Sequence, residues 1–113
     1  MVKNMKLIYQ DKTINLEEDI TFRERLIGFM FQKNIKKAIL FKHCNSIHTF
    51  FMKENIDVIM CDKNNNIIYY YKNLSPNKVI LPKKKVSFTI ETPANYFDVK
   101  LDTKITISSY DPK

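Results

Sequence analysis

Apolar and polar residues alternate with a period of two over much of the chain beyond Lys37. "KVSFTIET" sets Val86, Phe88 and Ile90 on one side and Ser87, Thr89 and Glu91 on the other, the mark of a half-buried strand. "KAILFK" is a short continuous apolar run and reads as a buried strand. In "SIHTFFMK" the alternation places Ile47, Thr49 and Phe51 on one face and His48, Phe50 and Met52 on the other. "IDVIMCD" and "NIIYYYKN" follow as two strands joined through "DKNNN". A tight hairpin needs positive φ, and Asn is the non-glycine residue that best adopts it. "KLIYQ" and "TINL" near the start predict a short hairpin, and "KITISS" closes the chain as a strand with Ile105 and Ile107 inward.

One segment has a different period. "TFRERLIGFMF" predicts a helix over about 21–31, with Thr21 and Glu24 at capping-box spacing. Phe22, Leu26, Phe29 and Met30 then form one stripe that would dock on a sheet. Gly28, the single glycine, falls inside this helix, and a close backbone approach to the sheet would explain it. Pro93 is placed to open a short helical turn over about 93–97. The expected fold is therefore α+β and mostly β: one domain over residues 1–113, with antiparallel strands closing into a small barrel. In such a barrel Phe51 and Ile47 would support the helix stripe. Phe51→Ala is accordingly expected to cost roughly 3–5 kcal/mol, and His48→Ala far less.

Composition narrows the function. The formal charge is +7, yet Lys dominates and Arg is scarce, whereas base-reading surfaces lean on bidentate Arg. Nucleic-acid binding through "YYYK" and "PKKKV" is thus disfavoured, and surface lysines suit edge protection as well. No run approaches the ~20 apolar residues of a membrane span. The start lacks a signal-peptide apolar region, which points to the cytoplasm unless a leader was trimmed. Cys44 and Cys61 then read as free thiols. With His48 they supply too few ligands for zinc, so no metal or cofactor is expected.

The order of motifs resembles a known family. "RERLIGFMF", "AILF", "CNSIHTFFMKENIDVIMCDKNNNII" and "IETPANYFDVKLDTKI" are similar to the bacterial and archaeal family called domain of unknown function 192, over about Thr21 to Ile107. Phe50-Phe51-Met52, Asp57 and Asp62 match its central motif, and Glu91-Thr92-Pro93-Ala94 its late one. "KEN" stands where the family usually has Pro before the first Asp. The resemblance implies a compact, mostly β domain without an assigned reaction, and it supplies no catalytic residues.

Asp57 interrupts an apolar strand, so its carboxylate must be solvated, paired or hydrogen-bonded, and Arg23 and Arg25 are the forked partners at hand. The candidate ligand-binding residues are His48, Phe50, Met52, Asp57, Arg23 and Arg25. No nucleophile constellation or phosphate loop accompanies them, which favours a non-enzymatic module for a small molecule, peptide or protein. The alternatives are a small hydrolase or transferase using an Asp57–His48 pair, and weak nucleic-acid binding by lysines.

Overall fold

The computed structural model describes residues 4–19 and 28–110. Among the described residues nine strands are formed: β1 (Asn4–Tyr9), β2 (Lys12–Glu18), β3 (Ala38–Lys42), β4 (Ile47–His48), β5 (Ile56–Cys61), β6 (Ile67–Leu74), β7 (Val79–Ile80), β8 (Phe88–Pro93) and β9 (Thr106–Tyr110). Seven make one sheet in the order β6-β5-β8-β3-β2-β1-β9, and β4 pairs with β7 in a separate small sheet.

Local chemistry sets several connections. Gln10 takes φ 53° in the two-residue loop between β1 and β2, and the register pairs Met5 with Leu16 and Leu7 with Ile14. These four apolar side chains share a face and are buried together. Between β5 and β6, Asp62 Oδ1 accepts the backbone N–H groups of Asn64 and Asn66 at 2.9 and 3.0 Å, and Asn65 takes φ 67°. The expected asparagine-driven turn is therefore present. The Asn66 side-chain amide, donating to Asp62 Oδ2 at 3.0 Å, is the largest cause that holds the half-buried Asp62 carboxyl below its ordinary value, and the two backbone bonds add to it.

Two apolar clusters lie on opposite faces of the main sheet. Ile59, Cys61 and Ile90 face Leu7, Leu16 and Phe97, while Val58, Met60 and Phe41 face Phe29, Met52 and Ile80. Every residue of β5 is buried, because β6 and β8 flank it and both faces are covered. Burial also pushes the Cys61 thiol up to about 12, which keeps it protonated and inert.

The α+β expectation is corrected. Among the described residues there is no helix. Residues 20–27 of the expected helix, with Thr21, Phe22, Glu24 and Leu26, lie outside the described residues, and Gly28–Phe31 form turns. The late helical turn is a β-turn, closed by Tyr96 N donating to Pro93 O at 3.3 Å. Nor does the sheet close. β6 and β9 are its edges and do not pair along their lengths. The bridge Asn66–Lys104 and the bonds from Ile67 N to Thr103 O, Asp102 N to Ile67 O and Ile105 N to Asn65 O join only the stretches where the chain enters them. A closed barrel needs a continuous ladder across that seam, and β9 runs on past the Asp62–Asn66 turn instead of along β6. The sheet is also mixed, because β2 and β3 run parallel.

β8 is a central strand. Glu91 lies across from Ile39 on β3 and Val58 on β5, and both Thr89 and Glu91 are buried. Thr89 and Glu91, on the polar side of "KVSFTIET", therefore do not face water. Gly28 does approach the sheet closely, as expected, but from a turn with φ 48°. A Cβ there would stand 3.3 Å from Glu91 Oε1.

Candidate functional site: an aromatic ledge

Two four-residue turns stand over the second cluster. Gln32 N donates to Phe29 O at 3.1 Å, and Met52 N donates to Thr49 O at 3.3 Å. The third position of each turn has positive φ: 65° at Phe31 and 62° at Phe51. Gly or Asn normally occupies such a position, since a Cβ in the left-handed region costs roughly 1–2 kcal/mol. The equivalent turn at Pro93–Tyr96 follows that rule, with Asn95 at φ 62°. Both phenylalanines break it. They stack on each other with centroids 5.6 Å apart, and Phe31 and Phe51 are 62% and 60% exposed.

The apolar surface continues beyond this pair. Phe50 is 41% exposed and stacks on His48 at 5.0 Å, and His48 pairs with Val79 across β4 and β7. Val79 and Leu81 are exposed, while Ile47 and Ile80 between them point into the second cluster. Phe31, Phe51, Phe50, His48, Val79 and Leu81 thus form one ledge along three adjacent segments.

Polar bonds lock those segments together. Phe31 N donates to Phe51 O at 3.0 Å. The Glu54 carboxylate accepts Asn34 N at 3.1 Å and Ile35 N at 3.3 Å. The buried Thr49 hydroxyl donates to Ser75 O at 2.9 Å and accepts Lys78 N at 2.8 Å. Thr49→Val should cost about 1–3 kcal/mol by orphaning buried polar groups. Hydrogen exchange should also speed up across 75–81 in that variant, and an unchanged exchange pattern would show that Thr49 is not the link.

The candidates from sequence separate. His48 and Phe50 belong to the ledge, and Met52 is buried beneath it. His48 Nδ1 accepts Phe50 N at 3.2 Å. Asp57 points to the opposite face of the sheet, since its neighbours Ile56 and Val58 lie in the second cluster with Met52. Its carboxylate accepts Asn73 N at 2.7 Å, Asn95 N at 3.0 Å and the Tyr70 hydroxyl at 3.1 Å. Among the described residues a hydroxyl and two backbone donors hold Asp57, and its side chain is not paired with His48. Arg23 and Arg25 lie outside the described residues.

Phe51 lies in a turn rather than in a strand that includes Ile47, so the two-residue alternation stops at His48. Its expected role as core is therefore corrected, and the basis for a cost of roughly 3–5 kcal/mol on truncating it is removed. Sequence reading missed Phe31, Val79 and Leu81 as exposed positions. Phenylalanine-rich runs ordinarily signal core, and the only contrary hint was the absence of Gly and Asn from the two turns. Glu91 was missed as a buried carboxylate for the same reason of alternation. Two open clefts lie elsewhere: one of about 270 Å³ beside Tyr9, Tyr96 and Phe97, and one of about 380 Å³ floored by Leu40, Phe88 and Ile107 with Lys63 and His43 at its rim.

The family model DUF192, with the description "Uncharacterized ACR", matches residues 5–107. The chain belongs to the DUF192 family. This DUF192 chain is 31% identical over 97 residues to a UPF0127 protein of Pyrococcus horikoshii, covering 77% of the chain and 83% of that protein. It is 33% identical over 84 residues to a UPF0127 protein of Thermococcus sibiricus, covering 69% of the chain and 54% of that relative. The chain thus spans about half the length of the Thermococcus protein. Both relatives are archaeal, so the DUF192 match does not mark a bacterial source. A solved structure from Sinorhizobium meliloti 1021, provisionally named a transcription regulator, has a TM-score of 0.74 at 14% identity, covering 96% of this chain and 94% of that one. At that identity the likeness carries the DUF192 fold alone. Among the described residues no helix is long and apolar enough to cross a membrane.

Proposed function

We propose that this DUF192 domain is a non-enzymatic binding module that engages its partner through the Phe31–Phe51 ledge. One observation carries the reading: two phenylalanines occupy left-handed turn positions, stack on each other, and stay mostly exposed. Strained backbone persists only where the surroundings enforce it, and exposed contiguous apolar surface is unfavourable in water. Both costs fall at one place, which stability alone would have filled with Gly or Asn. His48 and Phe50 extend the contact surface, and Met52 supports it from below.

The expected trade-off is measurable. Phe31→Gly/Phe51→Gly relieves two strained positions and loses one aromatic stack, so its stability should stay within about 1 kcal/mol of the parent chain. A loss of several kcal/mol on chemical unfolding would make the pair core after all. Amide shift mapping with a panel of peptides, sugars and small metabolites tests the binding role. Perturbations should cluster on residues 28–35, 49–55 and 75–81 and vanish in the double-glycine variant. Clustering around Lys63 and Phe88, or scattered shifts, would remove the ledge as the site.

A further inference from the structure

Resting on the ledge as the contact surface, we infer that its partner is the face of an anionic lipid bilayer. The shape comes first. Phe31 and Phe51 stand at the corners of turns and are mostly exposed, and among the described residues neither of the two clefts described above is lined by them. Exposed apolar points suit a deformable interface, which takes up separate side chains without a matching groove. A peptide helix or strand would instead need a trough to lie in.

Charge gives the partner its sign. Lys33 follows Phe31 by two residues, Lys53 follows Phe51 by two, and Lys78 precedes Val79, and all three lysines are exposed. Glu54 is the only acidic residue of the three segments, and its two oxygens are occupied by Asn34 N and Ile35 N. The ledge therefore offers an apolar centre, a cationic margin and a carboxylate already engaged by two backbone N–H groups. Apolar side chains that enter the headgroup boundary while lysines meet anionic lipid is the physical arrangement of interfacial membrane binding. Rigidity adds to it, because the stacked pair is held in place before contact and little further ordering is needed.

Sedimentation of the full chain with phosphatidylcholine vesicles, with and without phosphatidylglycerol, tests this. The chain should pellet with the phosphatidylglycerol vesicles, stay in solution with pure phosphatidylcholine, and be released by high salt. Phe31→Ser/Phe51→Ser should weaken partitioning about tenfold or more by removing two inserted rings. Lys33→Glu/Lys53→Glu/Lys78→Glu should abolish the preference for anionic lipid. Both variants should melt with the parent chain, and Phe31→Gly/Phe51→Gly provides a second apolar deletion should the serine pair unfold. A parent chain that ignores anionic vesicles, or variants that bind as well as it does, would overturn the inference. A parallel shift titration with an acidic aromatic peptide separates the two readings. Ledge shifts with the peptide but no vesicle binding reject the lipid partner and keep the ledge, and no response to either rejects both.

Discussion

Asp57→Ala is expected to destabilise the domain by about 3–5 kcal/mol, a large part of what a domain of this size holds in reserve. Asp57 is 1% exposed. Its position coincides with the register shift between Ile56 and Val58 in the β5–β6 ladder. The bulge takes Asn73 N out of ordinary ladder pairing, and Asp57 Oδ1 supplies the missing acceptor at 2.7 Å. Oδ2 reaches Asn95 N in the next turn and the Tyr70 hydroxyl, which also lies 3.0 Å from Phe97 O. One carboxylate therefore joins β5, β6 and the 93–97 turn. Removing it orphans two backbone donors as well as the Tyr70 hydroxyl's anionic partner. Asp57→Asn keeps the shape but turns an amide N–H₂ toward groups that donate, so it should fall between the parent and Asp57→Ala. Urea unfolding measures the series. An alanine variant within about 1 kcal/mol of the parent would show that water replaces the carboxylate without penalty.

Glu91 should make the domain less stable as pH rises from about 4.5 to about 8. Burial, reinforced by the negative charge of Asp19, lifts its carboxyl from 4.5 to about 8. Among the described residues its Oε1 has no hydrogen-bond partner, and Ile39 and Val58 flank it on the neighbouring strands. In the unfolded chain the carboxyl titrates at its ordinary value. Across that interval the unfolded chain has released a proton that the folded chain retains, so each step up in pH favours unfolding. The contribution is fully present below the unfolded value, is lost as pH approaches the folded value, and is flat above it. The limiting slope is about 1.4 kcal/mol per pH unit, giving a total on the order of 3–5 kcal/mol. Glu91→Gln stays neutral throughout and should flatten the profile over this window. Parallel profiles for the two proteins would mean that Glu91 is solvated or paired in the folded state.

The two carboxylates illustrate where sequence reading stops. Asp57 in "IDVIM" announced a carboxylate in an apolar strand that needed water, an ion pair or donors, and that requirement was legible. The identity of the donors was not. Two are backbone N–H groups freed by a bulge and a turn, which leave no side-chain signature. Glu91 carried no warning, because alternation cannot distinguish a strand with one wet face from a central strand covered on both sides.

Local pattern and turn chemistry by themselves determined the β1–β2 hairpin, the buried runs "AILF" and "IDVIMC" and the asparagine turn at Asp62–Asn66. Each depends on residues within a few positions of one another, so periodicity and φ preference suffice. Tertiary structure alone decided that the sheet is mixed and open, that β8 lies at its centre, and that Phe31 and Phe51 face solvent. Those outcomes depend on which distant strand supplies a neighbour. The Phe31 and Phe51 turns are also enforced from afar, by a hydrogen bond and a ring stack across twenty residues that outweigh the local preference against positive φ.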